Sequence, residues 1–152
     1  MRRLFMKIAL GADHGGVGHK NKVKEMLLEQ GHEVIDFGTN GTDSVDYNDY
    51  AIKVAEAVRD HQVDRGILVC GTGVGMSVMA NKVKGIRAAL VSDLFTAKAT
   101  REHNDSNVLA MGGRTIPEDL AVKIADVWVN TKFSNDERHV RRIGKIDHYK
   151  GE

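Results

Sequence analysis

One cysteine, one proline and one tryptophan occur among 152 residues, and aromatic side chains make up only 5% of the chain. A single thiol excludes an internal disulfide framework and suits a reducing compartment, so a cytoplasmic protein is expected. One proline, Pro117, leaves no room for a proline-rich linker, and no repeat or low-complexity segment is present. No apolar run approaches the roughly 20 residues that a membrane-spanning helix needs, so no membrane partner is expected. Excess charge is also missing, because 22 basic residues face 21 acidic ones. That balance gives no global attraction to nucleic acid, and any anionic ligand must be held by a local cluster of positive groups. Arg2 and Arg3 ahead of apolar residues have the look of a signal peptide. Lys7 interrupts the run, however, and no small-residue cleavage pattern follows. The segment is therefore read as a buried first strand.

What the chain does have is a regular alternation of short apolar runs and longer amphipathic ones. Residues 7–10, 33–37, 66–69, 86–91 and 108–111 read as strands. Residues 17–30 read as a helix with Val23, Met26, Leu27 and Gln30 on one side and Gly31 as its stop. Residues 50–60 place Ala51, Val54, Ala55 and Val58 at i, i+3, i+4 and i+7. Further helices are expected from about Val74 and over 93–102. Another follows a capping box formed by Thr115 and Glu118, with Leu120, Ile124, Val127 and Trp128 as its apolar stripe. A last helix opens at Ser134, with Glu137 three residues on. Strand–helix alternation implies a parallel sheet covered on both faces. Ligands of such open sheets bind beyond the carboxyl ends of the strands. That rule selects the turns at 11–16, 70–75, 92–93 and 112–114.

The richest of these is Cys70-Gly71-Thr72-Gly73-Val74-Gly75, directly after an apolar strand. Closely spaced glycines let backbone N–H groups converge, and the start of the following helix adds positive potential. Such a turn can hold a phosphate or an oxyanion that develops during reaction. A cysteine at that place is favoured as thiolate. The competing reading is a small buried cysteine that ends a strand, with glycines that only turn the chain. Three sharper motifs are excluded. The glycine spacing is not that of a dinucleotide fingerprint, Gly75 is not followed by Lys-Ser/Thr, and position 76 is methionine where a cysteine phosphatase would carry arginine.

Other polar groups fall near expected turns. Asp13 and His14 stand among glycines in Gly11-Ala12-Asp13-His14-Gly15-Gly16, where they suit sugar hydroxyls or phosphate, or simply cap a helix. Asp46-Tyr47 precedes a helix. His103, in His103-Asn104-Asp105-Ser106-Asn107, is either solvated or a proton shuttle. Arg138 and Arg142 lie at i and i+4, so they share a helix face that either is solvated or grips one phosphate, with His139 beside them. Cys70, His14 and His103 lack a compact metal-ligand spacing, so no metal is expected.

Together these motifs resemble the type B ribose-5-phosphate isomerases, a family shared with galactose-6-phosphate isomerase subunits. The resemblance runs from about Met6 to about Ile146 and includes Ala80-Asn81-Lys82 and Gly85-Ile86-Arg87-Ala88. It implies a single α/β domain over 1–152, with residues 1–5 as an N-terminal extension and 134–152 as a C-terminal helix and tail. The fold implied is a Rossmann-like or flavodoxin-like three-layer sandwich on a mostly parallel sheet of about five strands. No organic cofactor is implied. The substrate implied is ribose 5-phosphate, interconverted with ribulose 5-phosphate. A six-carbon phosphate (allose 6-phosphate or galactose 6-phosphate) would need only a roomier pocket. A non-catalytic sugar-phosphate sensor would have no need of Cys70, Thr72 and His103 together.

The resemblance also assigns roles. Cys70 would move the proton between C1 and C2, while Thr72 and the amides of Gly71, Gly73, Val74 and Gly75 would hold the enediolate. His103, with Asp13 and Tyr47, would open the furanose ring. Asn104 would bind hydroxyls. His14, Arg114, Arg138 and Arg142 would hold the phosphate, with His139 assisting. The implied assembly is a homodimer, or a tetramer built on it, whose active site is shared between subunits.

Overall fold

A computed structural model describes residues 5–151. Of the expected N-terminal extension, residues 1–4 lie outside the described residues. Five strands form one parallel sheet: β1 (Lys7–Ala12), β2 (Glu33–Asp36), β3 (Arg65–Cys70), β4 (Ala88–Leu90) and β5 (Val108–Gly112). Among the described residues six helices connect and follow them: α1 (Val17–Glu29), α2 (Tyr47–Arg59), α3 (Val74–Ala80), α4 (Leu94–Asn104), α5 (Glu118–Asn130) and α6 (Glu137–Asp147). The strand order is β2-β1-β3-β5-β4. The three-layer parallel architecture is the one expected. Its last two strands are exchanged relative to a 2-1-3-4-5 order, which sets β4 at the edge.

Alternation along each strand divides the core into two layers, because successive side chains point to opposite faces. Ile8, Leu10, Ile67, Val69, Leu109 and Met111 pack with Val23 and Leu27 of α1, Ala97 of α4, and Ile124 and Trp128 of α5. Ala9, Leu68, Cys70, Val108 and Ala110 pack with Val54 and Val58 of α2 and Met76 of α3. Helix α6 stands apart from both layers, and His139 is its only buried residue.

The differences from the expected boundaries have local causes. Helix α2 starts one turn before residue 50, at Tyr47, with Asp46 at its N-cap position. Strand β4 is shorter than 86–91 because Arg87 is drawn to Asn107, which accepts its N–H at Oδ1 (2.8 Å) and donates its own to the Arg87 carbonyl (3.0 Å). The capping box at Thr115 does not form. Pro117 takes the cap position, and the Thr115 hydroxyl donates back to Gly112 O at 3.3 Å. Nor does Ser134 open α6. That helix starts at Glu137 behind Asp136, whose N–H donates to Ser134 Oγ.

The exposed edge of β4 is closed by a side chain. Asn81 Nδ2 donates to Ala88 O (3.1 Å), and Ala88 N–H donates to Asn81 Oδ1 (2.8 Å). An amide that imitates a neighbouring strand blocks that position to backbone pairing.

Candidate active site

Three strands end side by side at the carboxyl edge of the sheet, and their turns are tied together through backbone. Asp13 N–H donates to Val69 O (3.1 Å), Gly113 N–H to Cys70 O (2.7 Å) and Arg114 N–H to Gly71 O (2.9 Å). These bonds join the turns after β1, β3 and β5. Cys70 is the last residue of β3 and is 5% exposed. Its Sγ accepts the N–H of Gly73 at 3.2 Å. Thr72 is exposed beside it, and its Oγ1 accepts the N–H of Val74 at 3.3 Å.

Two glycines in this turn answer to specific demands. Gly73 has φ of 81°, and a Cβ on it would stand 2.6 Å from Leu90 and 2.8 Å from the Met111 backbone. Gly75 lets the Tyr47 ring approach α3 closely, where a Cβ would come within 2.7 Å of the ring. The turn is therefore closed in by Tyr47 from α2 and by the Arg114 side chain, which passes Gly71.

Asp13 is buried, and its Oδ1 accepts the Gly15 N–H at 2.8 Å. His14 Nδ1 accepts the N–H of Val45 at 3.3 Å. With Nδ1 occupied as an acceptor, the proton of a neutral His14 ring sits on Nε2. The 38–46 segment that supplies Val45 is anchored by a buried lysine. Lys20 Nζ donates to both oxygens of Asp36 at 2.8 Å and to Asn40 Oδ1 at 2.6 Å. Burial works to raise the Asp36 carboxyl. The hydrogen bonds from Lys20 and from Gly38 N–H outweigh it, and the group is held below its ordinary range.

Asp13, His14, Tyr47, Cys70, Gly71, Thr72, Gly73, Val74, Gly75 and Arg114 thus come together at one end of the sheet. His103, Asn104, Arg138, His139 and Arg142 do not join them. Helix α4 starts near the carboxyl edge and runs back, so its last residues, His103 and Asn104, lie at the amino edge. Asn104 O accepts a hydrogen bond from Arg87, which precedes β4, and Asn107 O accepts the Gly66 N–H near the start of β3. An eleven-residue helix and a six-residue strand separate the two groups by about 16–20 Å within one chain.

The amino-edge group has its own order. The His103 and His139 rings are stacked, with centroids 4.5 Å apart and planes 21° from parallel. Burial pushes the His139 imidazole below its ordinary 6.5. His103, Arg138 and Arg142 push the same way, and Asp136 opposes them. Beneath this group Arg101 donates to Thr131 O, Asp105 Oδ1 and Ser106 O. Arg65 donates to the last-turn carbonyls of Trp128 and Val129, and burial, with Arg101 adding, lowers its guanidinium to about 9.

Sequence reasoning missed Lys20, and it placed Arg87 in a motif of the resemblance without giving it a role. Lys20 carried a signal, since it lies three residues before Val23 and seven before Leu27 on the buried stripe of α1. A charged residue on such a stripe needs a partner. Among the described residues no group of three or more His, Cys, Asp or Glu could hold a metal ion, and no helix is long and apolar enough to cross a membrane.

The framework thus sets out a thiol at the end of β3, a glycine turn whose Gly73 amide donates to its sulfur, and cationic side chains at both edges of the sheet. Residues 8–146 match a family model described as Ribose/Galactose Isomerase. Ribose-5-phosphate isomerase B of Escherichia coli is 46% identical over 92% of this chain and 93% of its own. A solved ribose-5-phosphate isomerase B of Clostridium thermocellum is 51% identical, with a TM-score of 0.91 over 93% of this chain and 95% of that one. Another, from Mycoplasma genitalium with bound ribulose 5-phosphate, is 40% identical, with a TM-score of 0.91 over 99% of both chains. The chain belongs to the ribose/galactose isomerase family, and it is an isomerase.

Proposed function

We propose that this isomerase interconverts ribose 5-phosphate and ribulose 5-phosphate, with Cys70 as the base. The observation that carries the chemistry is the seat of Cys70 Sγ in a glycine turn, 3.2 Å from the Gly73 amide. Proton abstraction beside a carbonyl needs a base and an oxyanion site in one place. In the open-chain aldose, the Cys70 thiolate takes the proton from C2. The C2–H electrons form the C1–C2 double bond, and the carbonyl electrons move to O1. The O2 proton passes to O1, which shifts the negative charge to O2; the C2 carbonyl then forms as the double-bond electrons take the Cys70 proton at C1. Thr72 and the amides of the 71–75 turn stabilise the negative oxygen between the two transfers.

The sugar rests as a closed ring, so a proton must first pass from the anomeric hydroxyl to the ring oxygen. His103 performs this step, assisted by Asp13 and Tyr47, and Asn104 holds hydroxyls. His14 and Arg114 meet the phosphate from the carboxyl edge. Arg138 and Arg142, with His139, meet it from α6. Because these two sets lie at opposite ends of one chain, the complete site is built from two copies.

A two-fold pairing along the β4–α4 edge sets the carboxyl edge of one copy beside the amino edge of the other. The exposed apolar side chains of Val78, Leu90, Leu94 and Phe95, the last 81% exposed, lie along that edge and provide the surface to be covered. The lone thiol and the phosphorylated substrate fit a cytoplasmic enzyme. Turnover of a panel of four-, five- and six-carbon aldose phosphates tests the assignment. The five-carbon substrate should give the highest kcat/KM, and a preference for a six-carbon phosphate would overturn it.

A further inference from the structure

Helix α6 carries three of the proposed substrate-binding residues, yet little apolar packing holds it. Only His139 of its eleven residues is buried, Ile143 is half-buried, and Val140 and Ile146 are exposed. A helix of three turns is marginal in water without tertiary support, so polar contacts must fix it. One lies in its first turn, where His139 stacks on His103. The other lies at its last residue. Asp147 accepts Arg87 Nη1 at both carboxylate oxygens, at 3.0 and 3.1 Å.

Arg87 uses the rest of its guanidinium on α4. Its Nε donates to Asn104 O at 3.0 Å, and its Nη2 donates to Asp105 O at 3.0 Å. All three nitrogens of one planar group are thereby committed, two to the end of α4 and one to the end of α6. The Arg87 side chain is largely enclosed, at 17% exposure. A lysine could not substitute, because its single ammonium cannot meet three acceptors spread in one plane.

We propose that Arg87 is a positioning residue. It fastens the end of α6 to the end of α4, so that Arg138 and Arg142 are presented with His103 and Asn104 as one preformed unit. The inference rests on the reading of the α6 arginines as phosphate ligands. Its physical content is that Arg87 acts through Asp147 on α6 and never touches substrate.

The test uses Asp147→Ala in the full chain. Asp147 is 37% exposed, and its removal leaves Arg87 bonded to both α4 carbonyls, so the fold survives. Amide hydrogen exchange across α6 should quicken by about two- to fivefold, the range of an exposed ion pair, while the strands stay unchanged. KM for ribose 5-phosphate should rise by a similar factor with a smaller change in kcat, and Asp147→Glu should restore both. In an Arg142→Ala background the same substitution should add little to KM, because the two act through one contact.

Unchanged α6 exchange in both Asp147→Ala and Arg87→Lys would overturn the proposal. So would a KM effect that multiplies in full with that of Arg142→Ala. An Arg142→Ala variant with normal KM would instead reject the phosphate reading, and the exchange measurement would still decide whether Arg87 holds α6.

Discussion

The two edges of the sheet are held together by different means. At the carboxyl edge, backbone bonds between the turns after β1, β3 and β5 fix Cys70 and its amides, and close glycine contacts leave no slack. At the amino edge, arginine side chains do the fastening. Arg87 and Arg101 bind carbonyls and carboxylates from segments far apart in sequence. The contrast suits the chemistry proposed for each edge. An oxyanion site loses its effect if its donors shift by about an ångström, whereas a phosphate can be met by long cationic side chains. A rigid backbone pocket and a side-chain-anchored arm are what those two tasks require.

The comparison predicts unequal responses to substitution. The largest belongs to Cys70. Cys70→Ala should lower kcat by roughly 100- to 10,000-fold with substrate binding retained, measured by turnover and by calorimetric binding. Near-normal turnover would remove the thiol from the mechanism. Next, Arg142→Ala at the other edge should raise KM by about ten- to hundredfold, as expected for a charge-assisted contact of roughly 1.5–3 kcal/mol, with kcat less affected. A pure kcat defect would mean that the arm takes part in the chemical step.

A glycine-to-alanine pair sharpens the same contrast in stability. Gly73→Ala forces a side chain onto a φ of 81° and into the Met111 backbone, and should cost about 1–3 kcal/mol. Gly144→Ala in α6 meets nothing within 4 Å and should gain about 0.5–1 kcal/mol from helix propensity. Chemical denaturation of both variants checks the signs, and equal losses would mean that α6 is packed as tightly as the turn.

The smallest expected effect is a pH response confined to the arm. The His139 imidazole is lowered from 6.5 by burial, then by His103, Arg138 and Arg142, against Asp136. A lowered folded value means that the unfolded segment binds more protons, so this contribution is complete above pH 6.5 and is lost as pH falls through the folded value. Exchange protection of α6 should therefore weaken below about pH 6.5 while the strands hold. Protection independent of pH would break the link between His139 and the arm.

Much of this division was legible in the sequence, and the exceptions share a cause. Strand and helix positions follow from local periodicity, and the Cys70 turn announces itself by glycine spacing. The capping box at Thr115 failed because Pro117 held the cap position, and Ser134 lost its box to Asp136. The exchange of β4 and β5 has no local signature, because either order satisfies the same apolar runs. The roles of Lys20 and Arg87 were not legible because their partners are distant, with Asp147 sixty residues from Arg87. The stacking of His103 on His139 was beyond sequence for the same reason. The separation of His103 from Cys70 was not: a helix that follows one parallel strand and precedes another must end at the opposite edge.

That separation is the central claim, and mixing two disabled chains measures it. A Cys70→Ala chain supplies an intact arm, and an Arg138→Ala/Arg142→Ala chain supplies an intact thiol. At substrate concentrations near the wild-type KM each is expected to be nearly inactive alone. If the site is completed by a second copy, every mixed dimer regains one whole site, and an equal mixture should recover about a quarter of the wild-type sites. Mixed dimers verified by mass spectrometry that recover no activity would contradict the account.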